Sequence, residues 1–73
     1  MHRYEFQLGI TPDQYLDYYR GIVRQVIVRT RDGKTVQFPA SLLQRFVTTE
    51  GILGTFVLIC DERHANARLE QLR

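Results

Sequence analysis

The chain has 73 residues, with ten Lys+Arg against eight Asp+Glu, two His and a single Cys. That length holds one domain, residues 1–73, and no two-lobed catalytic cleft. One cysteine excludes an intramolecular disulfide framework and a Cys-rich zinc site, and a formal charge of +2 does not announce a nucleic-acid or membrane-surface protein. The remaining composition, 44% hydrophobic and 25% charged, is that of a globular chain.

The first predicted element is a strand. Tyr4, Phe6 and Leu8 alternate with Arg3, Glu5 and Gln7, and Ile10 continues the apolar parity. Thr11-Pro12-Asp13-Gln14 then reads as a helix start, with a Thr cap, Pro at the first helical position and Gln completing a capping box. The helix is expected over 12–19, with Pro12, Tyr15, Leu16 and Tyr19 on its buried stripe and Tyr18 off it. Gly21 ends it. Residues 22–30 are rich in β-branched side chains and predict a second strand, apolar on both parities. Asp32-Gly33 predicts a hairpin into a third strand at 35–38, because Gly reaches the positive φ such a turn needs. Pro39 stops that strand. Residues 40–46 read as a short helix or 3₁₀ turn, with Leu42, Leu43 and Phe46 on one side. A loop is expected over 47–54, then a strand over 55–61 with Phe56, Leu58 and Cys60 on one face and Val57 and Ile59 on the other. Residues 61–73 read as a final helix capped by Asp61, with Ala65, Leu69 and Leu72 as a narrow apolar stripe and His64 on the polar side.

The expected order is therefore β-α-β-β-α-β-α. The expected fold class is α+β: a four-stranded, mostly antiparallel sheet with two short helices and a C-terminal helix. Gly21, Gly51 and Gly54 leave a small curled barrel as the alternative. A single core of this size supplies about 3–5 kcal/mol, so the aromatic residues or self-association are expected to supplement it. The longest apolar run, Phe56-Val57-Leu58-Ile59-Cys60, is far short of the ~20 residues of a spanning helix, and the polar–apolar alternation of residues 1–6 leads to the expectation of no targeting segment. A cytoplasmic location is the expectation.

No residue set nominates a catalytic site, a metal site or a cofactor. Cys60 falls on an apolar strand, where a thiol is inert. Ser41 has no evident base, the carboxylates are scattered through caps and turns, and the glycines form no phosphate loop. The cations are more informative. The segment 20–45 carries Arg20, Arg24, Arg29, Arg31, Lys34 and Arg45 against Asp32 alone, a net of +5; the rest of the chain has a net of −3. Arg suits bidentate contacts to phosphate or carboxylate, and Tyr18, Tyr19 and Phe38 are stacking partners nearby. Solvated, edge-guarding cations are the competing explanation.

Tyr18-Tyr19-Arg20-Gly21, Val23-Arg24-Gln25-Val26, Asp32-Gly33, Val36-Gln37-Phe38-Pro39-Ala40, Phe46-Val47-Thr48, Gly51-Ile52 and Gly54-x-Phe56 occur in a specific combined spacing. Over residues 4–72 the chain resembles a small family of uncharacterised single-domain proteins found mainly in gammaproteobacteria. The resemblance implies a soluble bacterial domain and carries no activity, substrate or cofactor. The candidate binding face comprises Tyr19, Arg20, Arg24, Arg29, Arg31, Lys34 and Gln37. The leading expectation is a non-enzymatic protein-interaction module, with homodimerisation open. The alternative is nucleic-acid or nucleotide binding through the basic region 20–45.

Overall fold

The computed structural model describes residues 1–63 and 65–73. Five strands and two helices follow one another: β1 (His2–Ile10), α1 (Pro12–Tyr19), β2 (Gln25–Arg29), β3 (Thr35–Pro39), a 3₁₀ helix (Ala40–Phe46), β4 (Ile52–Cys60) and β5 (Arg68–Gln71). The class is α+β, as expected. Among the described residues the strands form two sheets, β1-β4-β5 and β2-β3, in place of one four-stranded sheet, and no barrel closes.

The three-stranded sheet is antiparallel throughout. β1 and β4 pair along nine residues each, from His2↔Cys60 to Ile10↔Ile52. This pairing corrects the expected 47–54 loop. Ile52 is fully buried opposite Ile10, and a tight turn closed by Thr48 N–H to Gly51 O (2.9 Å) lets β4 begin at once. Gly51 has φ +96°, and a β-carbon there would collide with the Ile10 carbonyl oxygen, so glycine alone fits.

α1 is built as its sequence signals require. Thr11 Oγ1 accepts from Gln14 N–H at 3.1 Å, and Gln14 Oε1 accepts from Thr11 N–H at 3.0 Å. Its end is a Schellman closure: Gly21 N–H donates to Tyr18 O (3.1 Å) and Ile22 N–H to Asp17 O (3.0 Å). Val23 N–H also donates to Asp17 O, at 3.1 Å. The helix exit thus takes the donors of Ile22 and Val23, and β2 starts at Gln25 instead of residue 22. The stripe differs from expectation as well. Tyr15 is buried, but Tyr18 packs on the core while Leu16 and Tyr19 face solvent.

β2 and β3 form the hairpin that Asp32-Gly33 signals. Gly33, at φ +86°, follows a turn in which its N–H donates to Thr30 O at 3.0 Å. The hairpin lies over one face of the larger sheet. Phe38 stacks on Phe6 at 5.7 Å, and Phe46 meets Phe56 edge-on at 5.2 Å. Between the layers sits the core, which includes Phe6, Val26, Phe38, Leu43, Phe56 and Leu58.

The expected C-terminal helix is a turn followed by a strand. Asp61 does cap, but it closes a reversal: its Oδ1 accepts from Arg63 N–H and Ala65 N–H, each at 2.9 Å, and its own N–H donates to Ala65 O at 3.0 Å. Asn66 then takes φ +53°, and the chain runs back along β4 with Leu58↔Leu69 in register. Leu69 is buried between exposed Arg68 and Glu70, a period of two; Ala65 and Leu72 are exposed. His64, expected on the polar side of that helix, lies outside the described residues.

Both faces of β4 are buried within one chain. Phe56, Leu58 and Cys60 share the parity that faces the hairpin. On the other face Val57 and Ile59 are 2% and 3% exposed. Register flanks Val57 with Glu5 and Glu70, and Ile59 with Arg3 and Arg68. The aliphatic stems of such side chains cover apolar surface while their heads stay in water. A second subunit is therefore not required to shield β4.

Candidate functional site: an open strand edge beside a groove

The hairpin's hydrogen-bond phase decides which backbone groups are free. Thr30 N–H donates to Lys34 O at 2.7 Å, and Ala40 N–H to Arg24 O at 2.9 Å. These bonds make Val28↔Val36 and Val26↔Phe38 the hydrogen-bonded pairs and Arg29↔Thr35 and Ile27↔Gln37 the others. Among the described residues β3 pairs only with β2. Its outer edge therefore presents N–H and C=O of Thr35 and Gln37, and the C=O of Pro39, which has no N–H.

That edge borders a groove of about 740 Å³. Residues 34–39 form one wall, residues 65–67 the other, and Tyr4, Leu58 and Cys60 contribute from the sheet. One side of the two-layer fold is stitched by a backbone hydrogen bond, and among the described residues none joins 34–39 to 65–67 on the other. On the stitched side Arg31 N–H donates to Glu5 O at 3.0 Å, joining the hairpin loop to β1. Cys60 is buried in the wall, as its strand parity implies.

The sequence-derived binding face does not assemble as one surface. Tyr19 and Arg20 stand at the end of α1, and Arg24 precedes β2. Tyr19 and Arg24 share a small cleft of about 320 Å³ with Tyr15, Tyr18, Gln25 and Gln44. Arg29 and Gln37 lie on the outer face of the hairpin with Ile27, which is 66% exposed. Arg31 and Lys34 are in the connecting loop. Arg31 pairs with Glu5 at 3.3 Å and Lys34 with Asp32 at 3.7 Å. Arg20, Arg24 and Arg29 form no ion pair among the described residues. Arg45 lies over the Phe46 ring at 5.9 Å.

Asp32 has a local structural duty. The buried Thr30 hydroxyl donates to its carboxylate and accepts from Lys34 N–H at 2.9 Å. The Thr30 hydrogen bond, helped by Lys34, holds the Asp32 carboxyl below its ordinary 3.8. This network fixes the loop that starts β3.

Thr35, Tyr4 and Asn66 were not among the sequence candidates. Asp-Gly followed by a short strand ending at Pro39 signals the hairpin, but strand parity cannot reveal which of its edges the rest of the fold leaves open.

These features define a small α+β protein whose hairpin closes over a three-stranded sheet and leaves one strand edge beside a groove. The chain belongs to the family described as protein of unknown function (DUF2835), whose family model matches residues 2–72. No curated protein and no solved structure matches the chain.

Proposed function

We propose that the protein is a non-enzymatic protein-interaction module that receives an extended strand of a partner along β3. One observation carries this reading: an unpaired strand edge, with backbone groups of Thr35 and Gln37 turned outward, forms a wall of the 740 Å³ groove. Main-chain pairing to such an edge supplies affinity, and the groove accepts alternate side chains of the added strand. Selection of random heptapeptides on the immobilised full chain tests it. Gln37→Pro serves as counter-target, since it deletes an outward donor and no bond to β2. Peptides that enrich on the wild type and not on the variant are expected. No enrichment, or equal enrichment on both, refutes the reading.

A second reading, contact with a nucleotide or nucleic acid, is favoured by Arg24, which forms no ion pair among the described residues and shares a cleft with Tyr15, Tyr18 and Tyr19. A guanidinium beside aromatic rings suits phosphate and base together. Titration with single-stranded RNA at two salt concentrations tests it, since phosphate contacts release counterions. Binding that weakens with salt and is lost in Arg24→Ala is the expected result.

A further inference from the structure

Resting on the second reading above, we infer that the cleft between α1 and the 3₁₀ helix takes one adenine nucleotide, its base stacked on Tyr19 and its 5′-phosphate on Arg24. The cleft has the size for that unit: about 320 Å³, at the small end of the range of about 300–1,000 Å³ for ligand sites. One wall is aromatic. Tyr15, Tyr18 and Tyr19 stand at helical spacing on α1 and line it together, with the rings of Tyr15 and Tyr19 6.4 Å apart. Tyr19 is 73% exposed, so its ring is open to a base, and any base has a face that stacks on an aromatic ring.

The polar heads around the cleft are not engaged elsewhere. Among the described residues no hydrogen bond or ion pair takes up the three tyrosine hydroxyls, the Arg24 guanidinium, or the side chains of Gln25, Ser41 and Gln44. The position of Arg24 is nevertheless fixed, because its backbone C=O accepts from Ala40 N–H of the opposite wall at 2.9 Å. Arg24 is the one charged residue among the described residues that line the cleft. The carboxylates of α1 lie elsewhere: Asp13 and Asp17 fall on the far side of the helix from Tyr15, and Asp17 lines a separate cleft with Ile10 and Val23. A phosphate therefore meets a guanidinium with no carboxylate in the lining to compete for it.

The same lining selects the base. A Gln carboxamide offers a donor and an acceptor side by side, which matches the N6 and N7 edge of adenine. The corresponding edge of guanine presents two acceptors and asks for Arg or Lys, and its other edge asks for a carboxylate. With Arg24 on the phosphate, Gln25 and Gln44 remain to read the base, and they suit adenine.

The test titrates the full chain with AMP, GMP, adenosine and single-stranded hexa-adenylate, followed by amide chemical shifts. AMP is expected to shift the amides of Tyr19, Gln25 and Gln44. GMP should bind at least about fivefold more weakly and adenosine at least about tenfold more weakly. In Arg24→Gln, AMP should fall to the level of adenosine while adenosine itself is unchanged. Tyr19→Ala should weaken AMP and adenosine alike, and Tyr19→Phe should restore both. Tyr19 and Arg24 are exposed, so the fold, checked by circular dichroism, is retained. Hexa-adenylate that binds no tighter than its repeated registers explain assigns the nucleotide as a free one; tighter binding, weakening with salt, assigns it as a unit of a strand.

Equal binding of AMP and GMP at these amides overturns the adenine assignment and leaves the nucleotide reading standing. Salt-sensitive RNA binding that is lost in Arg24→Ala, without binding of AMP or hexa-adenylate, overturns the inference and also leaves that reading standing. Binding of AMP that Arg24→Gln and Tyr19→Ala do not change overturns the placement in this cleft. No binding of AMP, hexa-adenylate or mixed-sequence RNA overturns both.

Discussion

At Gly51 the backbone of one turn touches the end of β1 so closely that no side chain can intervene. Gly51→Ala combines that collision with a φ of +96°, and a loss of about 2–4 kcal/mol is expected from strain and displaced packing together. Urea denaturation at neutral pH measures it. Asp32 makes a different prediction. Its folded carboxyl titrates below 3.8, the Thr30 hydrogen bond being the main cause. The unfolded chain thus binds a proton before the folded chain does. The Asp32 contribution is complete above 3.8 and disappears as the pH falls through the lower folded value. Stability of the wild type and of Asp32→Asn should therefore converge on acidification below 3.8, while the carboxyl carbon of Asp32 titrates below the ordinary aspartate range. At this scale much was readable in advance. The Thr11–Gln14 capping box, the Asp-Gly turn and the burial of Cys60 are all short-range consequences of residue type. Tyr18 was not: its packing on the core in place of Leu16 and Tyr19 depends on how α1 is rotated against the sheet.

β5 shows how an element can carry two legitimate patterns. Ala65, Leu69 and Leu72 satisfy helical spacing, while Arg68, Leu69 and Glu70 satisfy strand alternation. The strand prevails because β4, buried on both faces, has a second edge to pair, and because Asp61 and Asn66 reverse the chain toward it. Backbone carbon shifts at residues 68–71 should accordingly be extended. Leu69→Ala should cost about 2–4 kcal/mol, against under ~0.5 kcal/mol for the exposed Leu72→Ala. Thermal melts of the two variants make the comparison. The start of β2 follows the same logic: the Schellman exit of α1 engages Ile22 and Val23, so β-branched composition alone overstates the strand. Edges follow it too. That β3 is open and β1 is stitched to Arg31 depends on where the hairpin lands, and no local pattern encodes that placement.

For the molecule as a whole, the two sheets share one core, with Phe38 of the hairpin stacked on Phe6 of β1. Neither layer has an apolar face it can bury alone, so the layers should unfold together. Phe38→Ala should cost about 3–5 kcal/mol and shift hairpin and sheet signals by the same amount. Hydrogen exchange at Val28 and at Phe56 reports each layer separately. Separate transitions would contradict the shared core. Among the described residues no helix is long and apolar enough to cross a membrane.

By itself the sequence determined the α+β class, the positions of β1, α1, the hairpin, the 3₁₀ helix and most of β4, and a basic central segment. These follow from periodicity, capping and turn chemistry within a few residues. The tertiary structure decided the split into two sheets, the conversion of the last helix into β5, the dispersal of the cations to opposite ends of the hairpin, and the open edge of β3. Each depends on pairing between segments distant in sequence, where the gain lies in burying a shared apolar face and no single segment records its partner.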